Sequence, residues 1–225
     1  MESATEILKF VAISIFLIIV GYQFYFLPQR KPLKKVRVGT PSSWDTHIPF
    51  KPCWVWIYSF LCYPFILLTI FTLDDQTHFF YTCLSFITLL FLHISIAFCA
   101  PLRTPTEWRS YAVGNSWSKR FLRFVQDIDK GGNCFPSMHV AVATLTALHI
   151  TVNWHAAPLW ILLTIWTMAV LIAVSAVYTK QHFVRDIIPG FLLAILTFGL
   201  CSLCLALFVS TDFAMSHTQF WLQLL

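Results

Sequence analysis

Two short polar segments interrupt an otherwise apolar chain, and both are built from residue types that can do chemistry. The first is Gly131-Gly132-Asn133-Cys134-Phe135-Pro136-Ser137-Met138-His139, and the second is Tyr178-Thr179-Lys180-Gln181-His182-Phe183-Val184-Arg185-Asp186. In the first, a glycine pair gives a mobile loop, Pro136 suits the opening turn of a helix, and Ser137 can cap that helix or donate a hydrogen bond. Free backbone N–H groups at such a start, with the helix dipole behind them, form an anion site. His139, one step inside, can reach an atom attached to that anion. In the second, His182 and Asp186 stand at i and i+4, which on a helix places both on one face. A carboxylate there can accept the proton of one ring nitrogen and leave the other free to attack or to take a proton. Lys180 and Arg185 add positive charge, which stabilises the equatorial oxygens of a transferring phosphoryl group. The same composition would also suit a juxtamembrane basic loop with one interfacial histidine.

The elements that must position these segments are membrane helices. Of the 225 residues, 58% are apolar and 11% charged, well away from the averages of soluble domains. A helix needs about 20 apolar residues to cross a bilayer, and the pattern predicts six spans at about 7–27, 53–73, 80–100, 137–152, 159–178 and 187–209. The expected fold is therefore an all-α bundle of six transmembrane helices, a single integral membrane domain over 1–225. The start of the chain carries Glu2 and Glu6 and lacks a basic segment or cleavage site, so the first span reads as a retained helix. The fourth span is short and holds Ser137, His139, Thr144, Thr146, His149 and Thr151; polar residues at that density face a bundle interior or a wet cavity. Connections 74–79 and 153–158 are short. The long connections 28–52 and 101–136, with the polar 179–186, share the opposite side, so the two segments can meet there.

Together the segments resemble the signatures of the type 2 phosphatidic acid phosphatase superfamily. That family's second motif reads Pro-Ser-x-His and is matched by Pro136 to His139; its third reads SRxxxxxHxxxD and is matched by Ser175, His182 and Asp186. The wording FPSMHVA and TKQHFVRDIIPG looks closest to the branch that includes inositol phosphorylceramide synthases and their bacterial relatives. The resemblance covers roughly residues 80–209, the expected catalytic core. It implies that His182 is the nucleophile forming a phosphohistidine, that Asp186 orients it, and that His139 protonates the leaving alcohol and later activates water. Ser137 and the backbone around Met138 would bind phosphate oxygens. Ala176 stands where the third motif has arginine, and Lys180 is the expected replacement. The first motif, KxxxxxxRP, is not matched in full; Arg103, before Thr104-Pro105, is preferred to Arg109 by position, with Glu107 between them able to pair with either.

The implied activity is metal-independent hydrolysis of a lipid phosphomonoester or diphosphate at headgroup level, with no cofactor and no nucleic-acid partner. The alternatives are transfer of the phosphoryl group to an alcohol acceptor, or a non-enzymatic transporter or interaction protein. The resemblance to bacterial relatives makes a bacterial inner membrane the expected location. Fourteen of the fifteen Lys and Arg residues fall on the side of the long connections, which by the positive-inside rule places the site in the cytoplasm. The basic and apolar stretch 119–128 suits a helix in the headgroup layer or a solvated one. His93 and His149 are expected to bond between helices, and His47, His78, His155 and His217 to be interfacial or exposed. Trp54, Trp56, Trp108, Trp117, Trp154, Trp160 and Tyr178 read as an aromatic belt. The cysteines, mostly inside apolar runs, behave as small hydrophobes and show no zinc spacing.

Overall fold

The computed structural model describes residues 4–154 and 156–208. Along the chain run α1 (Ala4–Tyr25), α2 (Leu27–Arg30), β1 (Arg37–Val38), α3 (Ser43–His47), and an irregular helical segment Pro52–Thr72 whose middle is α4 (Cys62–Leu67). Then come α5 (Gln76–Cys99), β2 (Leu102–Arg103), α6 (Thr106–Ser110), α7 (Trp117–Ile128), α8 (Met138–Asn153), α9 (Leu159–Tyr178), a 3-10 turn Val184–Asp186, and α10 (Ile187–Phe208). Among the described residues, five segments are long and apolar enough to cross a membrane: Ala4–Arg30, Pro52–Thr72, Gln76–Cys99, Leu159–Tyr178 and Val184–Leu205. The chain is a multi-pass, all-α membrane protein. The fourth predicted span, α8, has sixteen residues, about 24 Å at 1.5 Å per residue, shorter than the roughly 30 Å of hydrocarbon.

Burial explains why α8 can be short and polar. Twelve of its sixteen residues are buried, so it meets protein where the other helices meet lipid. Ala141, Leu145, Leu148 and Val152 recur at helical spacing and pack on Leu89 of α5 and on Leu193, Ala194 and Phe198 of α10. Ala143 and Ala147, on another face, let α8 approach Cys62 and Phe65 of α4 and Ala169 and Ile172 of α9 closely. Its polar residues find partners across helices. His149 Nε2 lies 2.6 Å from the Ser85 hydroxyl, His78 Nε2 lies 2.8 Å from Asn153 Oδ1, and Trp166 Nε1 donates to Thr151 at 3.1 Å. His93 is likewise buried, its Nε2 3.0 Å from the Pro136 carbonyl. His78 is not interfacial as its position suggested: α5 begins four residues before the predicted span, with Asp75 capping it, and draws His78 inside. His155, His217 and Val209 lie outside the described residues.

The Pro52–Thr72 segment departs from a plain helix. It opens as a 3-10 turn, widens to a π-helix over Trp56–Leu61, continues as α4 and ends in a 3-10 turn. Pro64 has no N–H to offer the Phe60 carbonyl, so the i+4 ladder cannot pass through that point regularly. The widened turn carries Tyr58, buried to 2% exposure, toward α8. On the side of the long connections, β1 and β2 pair in parallel, Arg37 opposite Leu102 and Val38 opposite Arg103, tying connection 28–52 to connection 101–136. Trp108, expected in the belt, is buried there against Phe183, while Trp117 and Trp160 are exposed.

Candidate active site

The bend after α9 carries His182 and is shaped by its own backbone. The N–H groups of Gln181 and His182 both donate to the Ala176 carbonyl, and Lys180 takes a φ of 57° to make the reversal. The segment is therefore a bend running into a 3-10 turn, not the continuous helix that the i, i+4 spacing implied. This changes the partner of His182. Its Nδ1 lies 2.8 Å from the Cys134 carbonyl oxygen, whereas Asp186 Oδ2 lies 3.7 Å from the same nitrogen, beyond a hydrogen bond. A carbonyl only accepts, so Nδ1 carries the proton and Nε2 keeps its lone pair. The hydrogen bond at Nδ1 is to the Cys134 carbonyl, with the Asp186 carboxylate a charged neighbour of the same nitrogen. The buried Asp186 instead accepts from the Phe183 N–H at 2.9 Å through Oδ2, and its carbonyl accepts from the Ser137 N–H at 3.1 Å. Asp186 Oδ1 has no hydrogen-bond partner among the described residues.

Ser137 caps α8, its hydroxyl accepting from the Val140 N–H and its carbonyl from the Ala141 N–H. With its own N–H given to Asp186, the first-turn amides of Met138 and His139 are left without a bond inside the protein among the described residues. Two amides at a helix start suit an anion. His139 sits on that turn with its ring stacked on Tyr58, centroids 3.9 Å apart and planes 26° from parallel. Its ring centroid is 6.1 Å from that of His182, at 62° between planes. His139 Nδ1 is buried without a hydrogen-bond partner among the described residues, so nothing there fixes its tautomer. Cys134 offers no rival nucleophile: burial, reinforced by the Asp186 and Asp129 carboxylates, pushes its thiol well above the ordinary range. Among the described residues, no three His, Cys, Asp or Glu side chains gather around a metal position.

The cations expected at the phosphate are placed differently. Lys180 is buried, its Nζ 2.5 Å from the Asp45 carbonyl, 2.6 Å from the Ile48 carbonyl and 5.3 Å from the Trp108 ring centre. Burial lowers its ammonium from the ordinary value while the Asp45 charge opposes the shift. The reversed backbone at Lys180 aims its side chain at connection 28–52, which is why it does not stand in for the missing arginine. Arg109 donates to the Gln126 and Asp129 carbonyls at 2.7 and 2.8 Å and so ties down the end of α7. Arg103 is exposed, bonded to the Thr106 hydroxyl at 3.1 Å, and Glu107 pairs with neither arginine.

Asp45 was not singled out from the sequence, although Ser42-Ser43-Trp44-Asp45 has the spacing of a capping box. Its Oδ2 accepts from the Ser42 N–H and hydroxyl, at 2.8 and 2.6 Å, and its Oδ1 accepts from the Val184 N–H at 2.8 Å. Burial alone would raise this carboxyl; the bonds from Ser42 and Val184, with the Lys180 charge, outweigh it and hold it below the ordinary value. Asp45→Ala removes the acceptor of the Ser42 N–H in the capping box and leaves the Val184 N–H unpaired, a loss of about 1–3 kcal/mol. Because the folded pKa is depressed, this stabilisation is present above about pH 4, the unfolded value, and fades as pH falls through the folded one. Thermal unfolding of the parent and of Asp45→Asn should therefore converge under acid conditions and separate near neutrality.

Gly190, in the first turn of α10, fixes how close the two segments come. A Cβ at this position would lie 2.5 Å from the Ser137 carbonyl oxygen and 3.2 Å from Val140 Cβ. That oxygen belongs to the α8 cap and cannot move without disturbing the amides of Met138 and His139. Gly190→Ala should lower kcat by about a hundredfold, the scale of an ångström-sized misplacement, while far-ultraviolet circular dichroism keeps its helical signal.

The structure brings both histidines, Ser137 and Asp186 together, with Tyr58 stacked on His139; neither Tyr58 nor Asp45 was singled out from the sequence. A comparison with curated proteins found no match. Residues 42–200, spanning Asp45, Tyr58 and both polar segments, match the PAP2 superfamily, the type 2 phosphatidic acid phosphatases. With its histidines facing each other over a helix start and most of its length matched, the chain belongs to that superfamily.

Proposed function

We propose that the chain is a lipid phosphatase that hydrolyses a lipid phosphomonoester or diphosphate through a phosphohistidine, without a metal. Membership of the superfamily supports a lipid enzyme of the phosphatase or phosphotransferase type. The observation that carries the finer reading is the facing of His139 and His182 across the α8 N-terminus, their centroids 6.1 Å apart. In this mechanism the His182 Nε2 lone pair attacks phosphorus and the bond to the lipid oxygen breaks. Protonated His139 gives its proton to that oxygen, and the lipid alcohol leaves. Neutral His139 then takes a proton from water, the hydroxide attacks phosphorus, the P–N bond breaks, and inorganic phosphate departs with His139 protonated again. The Met138 and His139 amides hold the equatorial oxygens throughout.

The test is purified protein in chelator with a panel of lipid phosphates, with and without alcohol acceptors. Phosphate release without an acceptor is the expected result. Release only when an acceptor is present would make the chain a phosphotransferase, and no turnover of any phosphate would end the enzymatic reading. We also propose that the site faces the cytoplasm, because Arg30, Lys31, Lys34, Lys35 and Arg37 lie in a connection the family's motifs do not use. A single cysteine placed in connection 28–52 of a cysteine-depleted variant should resist an impermeant thiol reagent on intact cells. Labelling before permeabilisation would reverse the orientation.

A further inference from the structure

An apolar cavity of about 820 Å³ lies between α1, the Pro52–Thr72 segment, α5 and α7. Met138 and His139 line it at the head end, so it opens beside His139. At the head end Asp129 accepts from Gln29 Nε2 and the Tyr25 hydroxyl, and the hydroxyls of Tyr22 and Tyr63 bond to each other; Ser14, Thr69 and Thr82 line it further down. One face of α7, with Phe121, Phe124 and Ile128, also lines the cavity, and Lys119, Arg120 and Arg123 belong to the same helix. The opposite end is closed. Phe79 stacks on Phe10 with centroids 4.2 Å apart and planes 8° from parallel, and Ile70 packs against both.

The depth of this space has a natural measure. Its wall on α5 runs from Leu90 to Phe79, a rise of about 16 Å at 1.5 Å per residue. Along the Pro52–Thr72 segment the lining runs from Tyr58 to Leu73, about 22 Å at the same rise, so the cavity takes up more than half of the roughly 30 Å hydrocarbon core. We propose that it is a chain site: it receives the hydrocarbon of the substrate whose phosphate lies between His139 and His182, and its Phe79 floor sets the longest chain taken up. This rests on the reading of the histidine pair as a lipid phosphatase and adds that chain length is selected inside the protein. A groove merely wetted by bulk lipid would impose no upper limit.

The experiment uses saturated alkyl monophosphates of increasing length in mixed micelles, with the full-length parent, Ser14→Phe and Phe79→Ala. Ser14 lines the cavity on α1, and a ring there shortens it. The ratio of kcat/KM for long over short chains should fall about tenfold in Ser14→Phe, the effect of losing two buried methylenes, and the cut-off should move to longer chains in Phe79→Ala. Profiles that superimpose on the parent overturn the chain site. A second arm needs neither turnover nor a stable Phe79→Ala: an alkyl phosphate with a terminal diazirine is photolysed on the protein and the adducts are mapped. Labelling near Ser14, Ile70 and Phe79 in the parent, lost in Ser14→Phe, supports the proposal. Labelling confined to outward residues such as Phe71 and Phe91 overturns it. Floor labelling without phosphate release would keep the chain site and remove the phosphatase reading.

Discussion

Replacing His182 by alanine is expected to lower turnover of a lipid phosphate by at least about 10⁴-fold, the scale seen when an enzyme loses its nucleophile. The geometry makes the loss specific. The ring is held by one bond, Nδ1–H to the Cys134 carbonyl, so its removal takes away Nε2 while the backbone bonds of Gln181 and His182 to Ala176 stay in place. Leaving the Cys134 carbonyl unpaired should cost about 1–3 kcal/mol, and circular dichroism of the purified variant should keep its helical signal. Rapid quench with a ³²P-labelled substrate should find acid-labile, base-stable phosphate on the parent and none on the variant. Activity within a few-fold of the parent would remove His182 from the chemistry.

His139→Ala is expected to cost about 10²–10⁴-fold, the usual contribution of a positioned acid or base, with a pattern that separates its role from that of His182. Without a proton donor, attack on an ordinary lipid ester stalls because the alkoxide is a poor leaving group. A substrate with an acidic phenol as leaving group needs no such help, so it should still phosphorylate His182. Hydrolysis of the intermediate still lacks its base, and phosphohistidine should accumulate as a burst followed by a slow steady state. Equal loss on both substrates, with no burst, would argue that His139 only supports the fold, for example through its stack on Tyr58.

The features legible in the sequence were those written in local pattern. Apolar runs gave the spans, and the polar residues of 137–152 announced a helix enclosed by others, as α8 is. The two histidine segments were visible because polar residues are rare elsewhere in the chain. Partnerships that depend on backbone geometry were hidden. The carbonyl that holds His182 belongs to Cys134, and no side-chain pattern reports a carbonyl. Lys180 looked like a phosphate ligand by spacing, yet its positive φ turns it toward the Asp45 and Ile48 carbonyls. Asp45, 139 positions before its partner Val184, acts across a distance in sequence that only the fold closes. Tyr58 reaches His139 because the helix around it widens, a consequence of Pro64 that periodicity does not encode.

The bond from the Ser137 N–H to the Asp186 carbonyl, with the close seat of Gly190 against Ser137, has a mechanical consequence. The start of α8 and the turn before α10 are riveted to each other, so His139 and His182 hang from one joint. A bilayer that thins or thickens tilts the outer helices and loads their far ends. That load reaches both imidazoles as a shared displacement, which leaves their separation unchanged. The cavity along α1 and α5 is held by the Phe10–Phe79 stack and the Tyr22–Tyr63 hydroxyl bond, with no backbone bond between α1 and α5 among the described residues, so membrane thickness acts on the fit of the chain before it acts on the bond being broken.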